Sequence, residues 1–481
     1  MSILSKSIVL AALFAALGTT SVFGQDEQQQ GAPPQSTQPA QPDQPAQGQS
    51  QNGATDNGDA NIIPAIVQPD LQASNGAGAF RPTFELPPDH SYVLPRFDFT
   101  SSVNTNGAYS SVPGQSQLVT QQYLLGGVTI EKVGRANELS VNYLGGRSFS
   151  TDGDLYNATT NLFGLNDKWM SGRWAGTLSD QLSYASDTYF GGGVGSPGFA
   201  IPGSNIQPSF NPSQALVVGR IPILNNNAVA EFDYQTNPRG TLTFVAGYTL
   251  LHYYGTGLIN NDSILGEAGY SYQLSRRNSL AVEYLFDAIR FGGNAQTINE
   301  NVVEATYVYQ IARQLSFRVG AGPDVSLIQG QKNYSDTYVS WRLTSSLNYQ
   351  VRQRTTLGIA YSHMLTGGSG VFLGAETDSV TASVGQQLGR FWSVNMNVGY
   401  SRNAALSASG ITAPVGTYNT VYGGGGISRL LGRDWKVYVN YQGTYQTSTL
   451  GVCTTPPCNS NFSNQQVFAG FGWHPRGFAL E

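Results

Sequence analysis

Trp435-Lys436-Val437-Tyr438-Val439-Asn440-Tyr441-Gln442-Gly443-Thr444-Tyr445-Gln446 alternates with a period of two. Trp435, Val437, Val439, Tyr441 and Tyr445 share one face of an extended chain, while Lys436, Asn440, Gln442, Thr444 and Gln446 share the other. Neighbouring stretches agree. Trp392, Val394, Met396, Val398 and Tyr400 oppose Ser393, Asn395, Asn397 and Ser401, and Leu280, Val282, Tyr284 and Phe286 oppose Glu283 and Asp287. A helix would need apolar spacing of three and four, which these runs lack.

Each pair of alternating runs is joined by a short turn carrying arginine: Leu274-Ser275-Arg276-Arg277-Asn278, Ile311-Ala312-Arg313-Gln314, Val351-Arg352-Gln353-Arg354, Leu388-Gly389-Arg390-Phe391 and Leu431-Gly432-Arg433-Asp434. From Arg276 the marks step by 37, 39, 38 and 43 residues, and similar arginines stand at Arg96, Arg135, Arg173, Arg239 and Arg476. Two strands and two connections per step leave roughly 10 to 14 residues per strand, against about 5 to 6 in soluble sheets. Tilted strands of about 9 to 11 residues suit a bilayer. Only a closed barrel leaves no backbone group unpaired in lipid. The sequence therefore predicts an all-β fold, a transmembrane antiparallel up-and-down β-barrel with an apolar outside and a polar inside.

Residues 1–24 combine Lys6, an apolar run from Ile8 to Leu17 and small residues near Gly24, the pattern of a secretory signal peptide. Residues 25–83 form a Gln/Pro-rich segment too poor in apolar side chains to offset its ordering entropy. It reads as a disordered periplasmic tether, open to peptidoglycan or partner contact. Its one apolar patch is Ile62-Ile63-Pro64-Ala65-Ile66-Val67. Residues 84–481 carry the barrel.

Eighteen strands are predicted, from Tyr92–Val103 to Gln465–Trp473; weak points leave 16 as the alternative. These are a short charged strand at Val229–Gln235, Asp180 in phase with Leu178 and Leu182, a bulge expected at Pro323, and the patternless Gly423–Gly426. An even count returns both termini to the periplasm. Trp169, Trp174, Trp392, Trp435 and Trp473 lie beside the marks and read as the periplasmic aromatic girdle, with Tyr253, Tyr254, Tyr338, Tyr418 and Tyr422 as the outer one. Only 11% of the 481 residues are charged, against about 25% in soluble domains, and 57 are glycine. A net charge of −5 gives no case for nucleic acid as a partner.

Few residues suggest site chemistry. Cys453 and Cys458, alone in an exported chain, predict a local disulfide in the last long loop. Of the four histidines, His90, His252, His363 and His474, His252 and His363 fall near predicted outer strand ends, where a pair with a carboxylate is open and an interface position is the commoner reading; no phosphate-binding glycine loop opens a helix. No enzyme activity, cofactor or metal is expected. Phase puts Glu267, Glu283, Asp287, Glu304, Arg318, Asp324, Arg342 and Lys436 on polar faces, making them candidate pore-lining residues of mixed charge.

The longest connection, Asp187 to Asn227, is the third on the outer side and rich in Gly and Pro. In this architecture the chain resembles bacterial general and sugar porins, whose third loop folds inward and narrows the channel. Phe468-Ala469-Gly470-Phe471-Gly472-Trp473 resembles a barrel-assembly ending, but the chain continues to Glu481. The resemblance implies an outer-membrane channel for passive diffusion of small hydrophilic solutes in a Gram-negative-type envelope, with outer-membrane lipid around it and homo-oligomers open. The competing expectation is a structural, adhesive or polymer-export barrel acting through its loops or tether.

Overall fold

The computed structural model describes residues 91–106, 118–150, 157–185, 221–255, 258–294, 296–330, 335–351, 354–406, 416–449, 461–475 and 477–479. The expected signal peptide (1–24) and expected tether (25–83), both cysteines and residues 186–220 lie outside these.

The strands run in chain order as β1 (Tyr92–Asn104), β2 (Val119–Val133), β3 (Asn137–Ser150), β4 (Ala158–Ser171), β5 (Trp174–Ala185) and β6 (Ile223–Asn237). They continue as β7 (Gly240–Tyr253), β8 (Asn261–Gln273), β9 (Asn278–Phe291), β10 (Gln296–Ala312), β11 (Leu315–Gly330) and β12 (Ser335–Val351). The last are β13 (Thr355–Thr366), β14 (Ala375–Leu388), β15 (Trp392–Ala405), β16 (Thr417–Leu431), β17 (Trp435–Ser448), β18 (Phe462–Trp473) and a two-residue β19 (Phe478–Ala479).

From β1 to β18 each strand pairs antiparallel with its sequence neighbour, and β1 pairs with β18 from Phe97↔Trp473 to Asn104↔Gln466. The sheet is thus a closed 18-strand barrel. Beyond Trp473 the tail does not leave the wall: β19 lies beside the start of β1, with Tyr92↔Ala479 and Val93↔Phe478 in register. It continues the line of β18 after a short break. A 14-residue strand such as β9 is about 46 Å long and, tilted by about 40°, rises about 35 Å, enough to cross an apolar band of about 25 Å.

Large apolar side chains alternate outward and stay exposed, among them Val103, Leu124, Phe244, Ile264, Val303 and Val439. Their sequence neighbours point inward and are mostly polar and buried, as with Ser102, Asn104, Ser263, Thr306, Ser401 and Asn403. Tyr438 is an inward exception to its strand's pattern and shares a hydrogen bond with Thr100 of β1. The turns at Gly172, Gly389 and Gly432 place that glycine at φ of 60°, 69° and 71°, immediately before the arginine mark. Only glycine enters this left-handed region without strain. Arg390 lies 5.9 Å over the Phe391 ring and Arg429 5.1 Å over Trp392, so girdle rings there carry cation–π contacts.

Four expectations need correction. Strand β6 begins at Ile223, not Val229: the Asn225-Asn226-Asn227 run looks like a turn in sequence but is laddered on both sides, to β5 and β7. Pro323 makes no bulge. Its register with Trp341 is unbroken, and the β10 ladder skips only the rungs between Val302↔Asp324 and Ala305↔Ala321. A proline has no N–H to offer there. Arg96 is no turn residue; it points inward from β1 and its Nη2 lies 2.8 Å from Asp98. Lastly, Tyr253, Tyr418 and Tyr422 are buried on the inward face, so they form no outer girdle; Tyr253 and Tyr418 are held there by an inward loop described below. Tyr254 is exposed, and Tyr338, partly buried, packs against an inward apolar cluster.

The wall approaches itself closely at Gly322, where a Cβ would meet the Val303 carbonyl oxygen at 1.8 Å. Gly322→Ala should cost about 1–3 kcal/mol, read as a lowered urea midpoint of the refolded barrel. Gly126→Ala, with open space around its Cβ position, should leave the midpoint unchanged.

Candidate functional site in the barrel interior

Inward side chains of β8 to β12 bring most of the sequence candidates together on one wall. Glu267 comes from β8, Glu283 and Asp287 from β9, Glu304 from β10, Arg318 and Asp324 from β11, and Arg342 from β12. Lys436, on β17, belongs to a different part of the wall. Glu267, Glu283, Glu304, Asp324 and Arg342 are buried, whereas Arg318 and Lys436 are only partly so.

Arg342 is the hub of this wall. Its Nη1 donates to Glu300 Oε1 at 3.2 Å, and its Nε lies 3.4 Å from Glu304 Oε2. Hydroxyls complete the network: Thr344 donates to Glu304 at 2.9 Å, Thr306 to Glu283 at 2.8 Å and Ser326 to Asp324 at 3.0 Å. Glu300 was missed from sequence although it stands in phase with Glu304, four residues on; that shared phase was the signal. The Arg96–Asp98 pair on β1 was missed because Arg96 was grouped with the turn marks.

The outer end of the interior is crossed by residues 367–374, which join β13 to β14. The Gly370 carbonyl accepts Ile259 N–H at 2.8 Å, the Leu373 carbonyl accepts Gln296 Nε2 at 2.9 Å, and the Gly374 carbonyl accepts Leu406 N–H at 3.2 Å. Phe372, 1% exposed, packs edge-on against Tyr418 of β16, with ring centroids 5.6 Å apart. Val371 packs on Leu251 and Tyr253 of β7, and Leu373 on a cluster that includes Ile289, Phe291, Ile298 and Leu406. The loop therefore ties the β7–β10 side to the β15–β16 side. Gly368, Gly370 and Gly374 take φ of 75°, 78° and 94°, which lets so short a segment double back. The sequence places the expected inward loop in Asp187–Asn227, of which 187–220 lie outside the described residues. Only the glycine spacing of 367–374 hinted at this one.

Of the described histidines, His474 brings its Nε2 within 3.3 Å of the buried Asp98, and His363, in the outward phase of β13, meets two carboxylates. Its Nδ1 is 2.7 Å from Asp378 and its Nε2 3.0 Å from Glu376, and Trp341 stacks on it at 4.0 Å. The β12–β13 ladder ends at Leu343↔His363, so these side chains hold the wall where backbone pairing stops. Among the described residues no group of three or more His, Cys, Asp or Glu is arranged to hold a metal ion.

Closure, an apolar outer band, inner-end girdles and a polar charged interior define a transmembrane β-barrel of the bacterial outer membrane. No family model matches the sequence, and no curated protein matches it. Solved structures with a similar course include OccK2 (OpdF) of Pseudomonas aeruginosa, at 10% identity over 80% of this chain and 98% of that one, TM-score 0.41. The outer membrane protein OpdK of the same organism is 9% identical over 79% and 98%, TM-score 0.42. The ferric-catecholate import receptor Fiu of E. coli K12 is 8% identical over 81% and 82%, TM-score 0.41.

Removing one partner of a buried ion pair leaves uncompensated charge and typically costs about 3–5 kcal/mol. Arg342→Met should destabilise the folded barrel on that scale in urea titrations, while Arg318→Met should have a much smaller effect.

Proposed function

We propose that this chain is an outer-membrane channel for passive diffusion of small hydrophilic solutes. The observation that carries this reading is the closed ring of 18 strands with hydrophilic and charged side chains turned inward. About eight strands fill their own interior with side chains, whereas 16 to 18 leave room for an aqueous path. No catalytic step is required of it.

Glu267, Glu283, Asp287, Glu304, Arg318, Asp324, Arg342 and Lys436 are the lining residues of this path. With Glu300, these candidates place six carboxylates on the β8–β12 wall against the two guanidinium groups of Arg318 and Arg342, which favours cations over anions. Loop 367–374 narrows the outer end. In this reading residues 1–24 are removed on export, residues 25–83 tether the barrel on the periplasmic side, and Cys453 and Cys458 close a disulfide in the last outer loop.

A blocked barrel acting through loops or tether is the second reading, and one feature favours it. Inward groups such as Thr100, Asn104, Thr377 and Asn403 are 0% exposed, which is dense packing for a wet lumen.

Single-channel recording of the refolded chain in planar bilayers separates the two. A channel should give discrete steps and a reversal potential on the cation side in a salt gradient. Glu283→Lys should move that potential toward anions, and replacing 368–373 by a Gly-Ser linker should raise conductance at least twofold. Silence from both the intact and the loop-replaced barrel, with strand-rich circular dichroism, would establish the blocked reading.

A further inference from the structure

Among the described residues the outward surface carries one charged group far from either strand end. Asp180 lies in β5, in the outward phase of Leu178 and Leu182, in register with Leu165 at the middle of β4 and with Ala228 of β6. Its Oδ1 accepts Nδ2 of Asn226, outward on β6, at 2.8 Å. Six residues above the girdle Trp174, it stands about 15 Å up a band of about 25 Å. Among the described residues the other outward charges, from Arg147, Asp262 and Asp378 at outer ends to Lys132, Asp167 and Arg429 at inner ends, lie within four residues of a strand end.

Acyl chains offer no hydrogen-bond donor, so a carboxylate at this depth is costly unless protein covers it. The ground beside it suits cover. Ala230, Ala246 and Gly266 are in register across β6, β7 and β8, all outward, and a Cβ at Gly266 would meet nothing within 4 Å. Small residues let a second wall approach closely in a membrane, and polar side chains then bond across the contact.

We propose that two copies of this chain pack wall to wall through the outward face of β5 to β8, centred on Asp180 and Asn226. The pair is self-complementary under a two-fold axis: the second N–H of each Asn226 amide faces the second oxygen of the partner's Asp180 carboxylate, and the contact repeats with the roles exchanged. A lipid surface offers no such donor, which is why a second copy is the chosen occupant. The contact depends only on the barrel's standing in a bilayer, and it holds whether or not the lumen conducts.

The test uses the full chain in lipid nanodiscs, with native mass spectrometry for stoichiometry and bismaleimide crosslinking of Ala246→Cys in a Cys453→Ser, Cys458→Ser background. The wild type should be mainly dimeric and Ala246→Cys should crosslink between copies. Asp180→Leu with Asn226→Leu should lower the dimer fraction at least tenfold while heat-modifiable gel migration shows a folded barrel. Should that double variant not fold, Ala246→Trp, which keeps Asp180 but roughens the patch, should give the same loss. A wild type that is monomeric at every protein-to-lipid ratio overturns the proposal. So does an unchanged dimer in the variants, or crosslinking of Val439→Cys on β17 as fast as Ala246→Cys.

Discussion

Every backbone N–H and C=O in the hydrocarbon layer must find a partner within the protein, and that requirement governs this molecule. Closure between β1 and β18 meets it, and the chain spends its last residues on the same seam, where β19 lengthens the cover along β1. Once the ring is closed, period-two alternation has only one arrangement: apolar groups to lipid, polar groups to the interior. The small deviations follow the same logic. At Pro323 the missing donor is tolerated because the ladder to β12 continues, and at the outer end of β13 the His363, Glu376, Asp378 and Trp341 side chains take over where the ladder to β12 stops.

Interior charge depends on that ring too. Glu283, Glu300, Glu304 and Asp324 are gathered by β9 to β11, and Arg342 reaches Glu300 and Glu304 from β12. Alone, any of these carboxylates would be expensive to bury; paired and hydroxyl-bonded, the group becomes a fixed feature of one wall. Loop 367–374 lies over the outer end of the same space, anchored by backbone carbonyls rather than by charge. A path past it would combine an apolar constriction with a carboxylate-rich wall below.

Two aromatic sets show how phase and depth separate in such a barrel. Trp174, Trp392 and Trp435 are exposed near the inner ends, a position legible from their nearness to the arginine marks. Tyr253, Tyr418 and Tyr422 stand near outer ends as well, yet they face inward. Depth can be counted from a turn, but the facing of a residue near a strand end depends on which strand it belongs to and where that strand starts.

Local sequence determined the strand type, the count of 18, the order around the ring and the inner turns, because alternation and the arginine marks are each set by a few consecutive residues. It also put Glu267, Glu283, Asp287, Glu304, Asp324 and Arg342 on inward faces, since phase is a property of one strand. Tertiary structure decided the rest. Which carboxylates share Arg342, that Asn225 to Asn227 extend β6, that 367–374 rather than any longer segment among the described residues crosses the interior, and that Asp180 meets Asn226 all depend on contacts between strands. Register across the wall fixes those contacts, and no single strand carries that information.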